Sequence, residues 1–138
     1  MPRKTTGARE RILTTAYRLI YRKGLARVSM DAIAKASRVT KRGIYYHFES
    51  KDALVSAVLE SQQSHALALF ETCGRQSARS PAEFLSNLFF ELENWSNDPH
   101  WQGSGYTRLT MELADLPGHP ARKAARQHKS AVEGWLAD

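Results

Sequence analysis

Residues 29–48 read SMDAIAKASRVTKRGIYYHF. Ser29 stands just before Met30, Ile33 and Ala34, apolar residues at helical spacing. Its hydroxyl can accept free N–H groups of a first helical turn, and Asp31 favours the positive end of that helix. The pattern predicts a short helix ending near Ala36, a tight turn at Ser37-Arg38-Val39, and a second short helix over about 40–46 capped by Thr40. Short helix, tight turn, short helix is the layout in which one helix enters the major groove of duplex DNA while the other braces it across the backbone.

The side chains of the second of these helices sort by angle, at about 100° per residue. With Ile44 turned to the core, Phe48 points nearly the same way. Arg42 and Tyr46 then lie on the opposite face, with Gly43 and Tyr45 beside them. Arg42 can make a paired hydrogen bond to guanine O6 and N7, and Tyr46 can meet a thymine methyl or a phosphate. Gly43 weakens the helix by about 1 kcal/mol relative to Ala, a cost that close approach of backbone to DNA would explain. Thr40, Lys41, Tyr45, His47 and Lys51 are placed for phosphates, Thr40 and Lys51 at helix N-termini where unpaired N–H groups already attract anions. Ser29 and Arg38 complete the expected DNA-contact set.

Outward from this core the chain reads as helices separated by punctuation, with no convincing strand. Residues 2–7 look like a basic arm. Ile12, Leu13, Ala16, Tyr17 and Ile20 share one face of a first helix over 8–23, which Gly24 ends. Ser50 caps a long helix, about 51–72, with Leu54, Val55, Val58, Leu59, Ala66, Leu69 and Phe70 in its apolar stripe. Residues 74–80 read as a loop. Ser80-Pro81-Ala82-Glu83 is a helix start, cap followed by proline and a capping-box glutamate. That helix is expected to run to about Trp95 with Phe84, Leu85, Leu88, Phe89, Leu92 and Trp95 inward. A further helix is expected between Gly105 and Leu116. A last one carries Ala121, Ala125, His128, Val132 and Trp135 on one face and is still running at Asp138.

Charge agrees with a polyanion partner for the front of the chain. The net charge of +6 is unevenly placed: residues 1–60 hold thirteen Lys or Arg against five Asp or Glu, a surplus of eight, and the rest carries a net −2. With 138 residues and 42% hydrophobic composition, the chain suffices for a small domain joined to part of a second. The single cysteine, Cys73, permits no intrachain disulfide, and nothing in the sequence supplies it with an activating base. No signal-peptide run and no stretch approaching the ~18 apolar residues of a membrane span is present. The expectation is a protein of the cytosol with no membrane partner.

Arg11-Ile12-Leu13, Ala16, Gly24, Ser29, Ile33-Ala34, Val39-Thr40, Ile44-Tyr45-Tyr46-His47-Phe48 and Glu49-Ser50-Lys51-Asp52-Ala53-Leu54 resemble the DNA-binding domain of the TetR (tetracycline-repressor-like) family of bacterial regulators. The resemblance covers residues 9–59 closely. It continues more weakly in Gly118-His119-Pro120-Ala121-Arg122 and Val132-Glu133-Gly134-Trp135-Leu136. It implies an all-α fold: a three-helix, homeodomain-like helix-turn-helix domain over 1–50, then a helical ligand-binding and dimerisation domain over 51–138, incomplete at its C-terminus. Two departures stand out. Arg38 occupies a turn position where the family commonly has glycine, and a left-handed backbone there would cost a non-glycine residue about 1–2 kcal/mol. Gly43 stands where the family often has alanine or a small hydroxylated residue.

The resemblance further implies a homodimer, provided the full protein carries the two helices that usually follow, and a pocket for a small molecule behind the fourth helix. Phe89, Trp95, Trp101, Tyr106, Met111 and His128 are the candidate linings. No cofactor is expected. The five histidines show no metal-ligand spacing, and no phosphate loop, nucleophile elbow or zinc-ligand pair points to catalysis. The function expected is therefore a sequence-specific regulator of transcription, a repressor released by a small ligand. The rival readings are a relative that acts through protein contacts as an inhibitory dimer partner, and a nonspecific nucleoid binder.

Overall fold

The structure is a computed structural model that describes residues 7–77 and 80–137. Apart from Gly7, the expected basic arm lies outside the described residues. Among those residues all regular structure is helical: α1 (Ala8–Lys23), a 3-10 turn (Leu25–Arg27), α2 (Met30–Ser37), α3 (Lys41–His47), α4 (Lys51–Gln76), α5 (Pro81–Ser96), α6 (Gly105–Ala114) and α7 (Ala121–Ala137).

The caps behave as their residue types dictate. The hydroxyls of Ser29, Thr40, Ser50, Ser80 and Ser104 each accept the N–H three residues on, satisfying donors that a helix start leaves without intrahelical partners. Gly24 ends α1 at φ +86°, its N–H bonded to Ile20 O at 2.8 Å. A Cβ on Gly24 would stand 3.3 Å from the Glu112 carboxylate, so glycine serves both the turn and the approach of α6. The end of α2 is less comfortable. Arg38 takes the left-handed conformation, φ 55° and ψ 41°. This is the strain anticipated for a non-glycine residue at that turn.

One core joins the front and back of the chain. Ile12, Ala16 and Ile20 of α1 meet Ile33, Ile44, Phe48, Leu54, Val55, Val58 and Leu59, and the same buried cluster takes in Leu109, Leu113, Ala121 and Ala124. The N-terminal half of α4 is thus core to the helix-turn-helix. Its C-terminal half passes on to α5 and α7, where Phe70, Phe84 and Trp135 form an aromatic cluster with centroids 5.4–6.5 Å apart. Here α4 runs past its expected end. Gly74 reads as a loop residue in isolation, yet it lies inside the helix, with the Trp135 indole 3.2 Å from where its Cβ would be.

The inward face expected for α5 is corrected. No α5 residue is buried; Phe84 and Leu88 are half-buried, while Leu85, Phe89, Leu92 and Trp95 are exposed. The helix rests mainly on α4, and a helix with one neighbour covers only part of an apolar stripe this wide. Helix α6 ends two residues early, with Asp115 as its C-cap.

His119 holds the α6–α7 corner against the start of α4. Its Nδ1 accepts the Ala121 N–H at 3.1 Å, and its Nε2 lies 3.1 Å from Asp52 Oδ1. With Nδ1 accepting, the ring proton belongs on Nε2 and is donated to the carboxylate. His128 is the other histidine of interest. It is buried, its Nδ1 has no hydrogen-bond partner among the described residues, and its ring centroid is 4.3 Å from that of Tyr106. Burial holds its imidazole below the ordinary histidine pKa.

Two predictions follow from this packing. Arg38→Gly relieves the left-handed backbone and should stabilise the chain by about 1 kcal/mol, read as a higher urea midpoint with an unchanged slope. The unfolded chain protonates His128 before the folded chain does. Its stabilising contribution is therefore present above the unfolded value, about pH 6.5, and is lost as pH falls through the lower folded value. The urea midpoint should drop between pH 7 and pH 5.5, and His128→Gln should flatten that slope; an unaltered slope in the variant would count against the assignment.

Candidate nucleic-acid interface

Helix α3 is held from beneath by Ile44, which is 0% exposed, and by Phe48 just past its end. That anchoring fixes the rotation of the helix and turns Arg42 and Tyr46 outward. Tyr46 is 85% exposed, a large apolar surface to leave in water for a residue with no folding role. Its ring meets the His47 ring edge-on at 5.1 Å, which limits the directions it can take. Tyr45 is partly exposed, His47 half-buried, and Arg42 exposed. Among the described residues Arg42 carries no ion pair.

Gly43 has an internal reason as well as the expected external one. A Cβ there would come within 2.7 Å of Val39 Cγ1 and 3.1 Å of Thr40 Oγ1. The tight turn folds Val39 back over the first turn of α3, and only a hydrogen fits beneath it. The close approach seen in the structure is therefore to the protein's own turn.

The residues expected at phosphates divide into three groups. Ser29 and Thr40 use their oxygens as N-caps, accepting from Ala32 N–H at 3.1 Å and Gly43 N–H at 3.0 Å, and each hydroxyl keeps its proton for an outside acceptor. Lys41 leans back to Asp31 at 3.1 Å; hydrogen bonding to that carboxylate, then its charge, holds the exposed ammonium above the usual lysine value. Lys51 has a different partner from the one expected. Its Nζ donates to Leu25 O at 3.0 Å, because the 3-10 turn brings that carbonyl beside the start of α4.

Two basic residues join the interface that the sequence reading passed over. Arg9 places its guanidinium 5.2 Å from the Phe48 ring, beside the end of α3. Arg11 lines a shallow cleft together with Arg38, between α1 and the end of α2. The available signal was the position of both in the first turn of α1, Arg9 on the same side as Ile12 and Leu13 and Arg11 on the side away from them. Together the exposed cations surround a short helix whose outer face offers one guanidinium and one phenol.

The expected ligand linings do not form one site. Trp95, Trp101 and Tyr106 line a cleft of about 670 Å³ between α1, α4, α5 and the α5–α6 connection. Phe89 and Met111 are more than 60% exposed, Met111 on a separate cleft beside Lys23 and Arg27. His128 lies buried against the Tyr106 ring rather than in the cleft. The cleft's fourth wall comes from Tyr17, Arg18, Tyr21 and Arg22 of α1, which periodicity alone assigns to a core face or to solvent. Among the described residues no helix is long and apolar enough to cross a membrane, and no three His, Cys, Asp or Glu stand close enough to hold a metal ion.

Comparison with known proteins agrees with this geometry. The family model of bacterial regulatory proteins, tetR family, matches residues 12–58. The HTH-type transcriptional regulator UidR of Escherichia coli is 36% identical over 105 residues, covering 76% of this chain and 49% of UidR. The chain thus spans about half the length of that curated relative. A TetR-family transcriptional regulator from Streptomyces coelicolor superposes with a TM-score of 0.78 at 28% identity, over 89% of this chain and 64% of its own. A protein of Streptomyces avermitilis assigned to the TetR transcriptional regulators gives 0.75 at 34% identity, over 92% of this chain and 68% of its own.

The Lys51 geometry yields a prediction. Lys51→Met removes a charge-assisted bond to Leu25 O and should cost about 1–3 kcal/mol in stability. It should leave the salt dependence of duplex binding unchanged, since an ammonium engaged at a carbonyl neutralises no phosphate. A decrease of about one in the slope of log K against log salt would instead put Lys51 on the DNA.

Proposed function

Because the chain belongs to the TetR family of bacterial regulatory proteins, we propose that it is a sequence-specific binder of double-stranded operator DNA that regulates transcription. It acts as a repressor released by a small ligand. The observation that carries this reading is the contrast on α3: Ile44 fully buried and Tyr46, two residues on, 85% exposed, so that the helix presents one anchored and one free side. In this reading Arg42, Gly43 and Tyr46 face base edges. Ser29, Arg38, Thr40, Lys41, Tyr45 and His47 hold the phosphates that fix register, with Arg9 and Arg11 beside them.

Residues 51 onward form the regulatory unit in this account, with Trp95, Trp101 and Tyr106 at an effector site. A homodimer presents its two α3 helices one turn of DNA apart, about 34–36 Å. A small displacement of α4 relative to α1 then suffices to spoil the spacing. We read the protein as a binding protein of the bacterial cytosol and not as an enzyme.

Selection of bound duplexes from a random pool should return a defined sequence, and Arg42→Ala should then lose about 1–3 kcal/mol and relax preference at one base pair. A uniform loss across unrelated duplexes would confine Arg42 to phosphate. Failure of the native chain to enrich any sequence would remove the regulator reading.

A further inference from the structure

We propose that the cleft between α1, α4, α5 and the α5–α6 connection binds an aromatic carboxylate, its ring between the tryptophans and tyrosines and its carboxylate held by Arg18 and Arg22. The proposal rests on the reading of the chain as a ligand-responsive regulator and adds the chemistry of the ligand.

The walls are aromatic and the space is of ligand size. Tyr17 and Tyr21 stack at 5.9 Å with 19° between planes, and Trp95, Trp101 and Tyr106 line the same cleft of about 670 Å³. Small-molecule sites are commonly about 300–1,000 Å³ and mostly apolar, with a few polar groups fixing orientation. Trp95 and Trp101 each leave 45% of their surface open. Flat rings half in water gain most from a flat ring laid against them, by burial and by offset stacking.

The charge at the cleft selects the sign of the ligand. Arg18 and Arg22 lie one turn apart on α1, both exposed and both lining the cleft. Among the described residues neither has an ion pair. The carboxylate in the lining is Asp98, and it is already engaged: its Oδ1 accepts the His100 N–H at 2.7 Å and lies 3.3 Å from His100 Nδ1. His65 adds a further donor on α4. Two unpaired guanidiniums beside an occupied carboxylate favour an anion, and a guanidinium matches a carboxylate in two-point geometry. A cation would meet repulsion at the same place.

The position gives the ligand a lever. The Tyr21 hydroxyl donates to Gly103 O at 2.9 Å and accepts the Gln102 N–H, while Arg108 Nη1 donates to Tyr21 O at 2.7 Å. These bonds tie α1 to the α5–α6 connection and to α6 at the edge of the cleft. A ring seated between Tyr21 and Trp101 presses on that tie, and the opposite side of α1 is the core of the helix-turn-helix.

The test is a calorimetric titration of the 138-residue chain, without DNA, using 2-naphthoate, naphthalene-2-carboxamide and 2-naphthylmethylamine as probes. The acid should bind at least about tenfold more tightly than the neutral amide, the amine most weakly, as a charge-assisted pair worth about 1.4 kcal/mol requires. The double variant Arg18→Gln/Arg22→Gln should bring acid and amide to within about twofold of each other, while the exposed control Arg75→Gln keeps the native discrimination. Both arginines are surface residues, and circular dichroism checks that the variant is folded; the single variants serve if it is not. Equal binding of acid and amide, discrimination that survives in the variants, or no naphthoate binding at millimolar concentration would each overturn the proposal. A chain that binds naphthoate but selects no duplex loses the regulator reading and keeps this site. A chain that selects a duplex but ignores naphthoate does the reverse.

Discussion

The backbone of Leu25 is held from two sides. Its N–H donates to Glu112 Oε2 at 2.6 Å, and its C=O accepts from Lys51 Nζ at 3.0 Å. One bond comes from α6 and the other from the start of α4, so the backbone of one residue after α1 ties the front of the chain to both elements. Neither partner is free to drift: Glu112 is flanked by Arg108, and Lys51 sits in the first turn of α4 beside Asp52, which is itself bonded to His119. Charged groups bonded to backbone in partly buried surroundings are worth more than neutral pairs and cost more to break. The orientation of α1 against α4 and α6 depends on this junction.

Helix α1 therefore works as a shared beam. Ile12, Ala16 and Ile20 serve the helix-turn-helix core, while Tyr17 and Tyr21 face the cleft and the α5–α6 connection. Gly105 has no Cβ because Tyr17 and Tyr21 occupy that space, which lets α6 start close against α1. A change of shape on the regulatory side has few ways to dissipate before it reaches α3. Helix α3 is only seven residues long, far below the length at which an isolated helix is stable. It exists because Ile44 and Phe48 are locked into the same core, and its outer face goes where that core sends it.

The chain departs from local comfort at the interface. Arg38 pays in backbone strain, but sits exposed beside Arg11 on the basic side of the turn. Lys41 is partly neutralised by Asp31, and Arg42 is not. Charge is thus graded across the face, with the unpaired guanidinium on the helix itself. The back half shows the converse pattern, apolar rather than charged surface left open along α5.

The front of the chain was legible because its signals are local. Ser29, Thr40 and Ser50 cap by reaching three residues along their own backbone, Gly24 ends α1 through its own φ, and Ile44 opposes Arg42 and Tyr46 by helical arithmetic. None of these depends on what lies across the fold. The sequence by itself determined the helix order and the outward face of α3. Only the tertiary structure decided what a neighbour supplies. It set Gly74 inside α4 against the Trp135 indole, turned Lys51 from solvent to the Leu25 carbonyl, and put Val39 where a Cβ on Gly43 would stand. It also opened the intended inner face of α5 and brought Tyr17 and Arg18 of the first helix to a cleft shared with Trp95 and Trp101. Periodicity tells which residues share a side of a helix; whether that side is covered depends on elements distant in sequence, and their arrangement is fixed only when the whole chain packs.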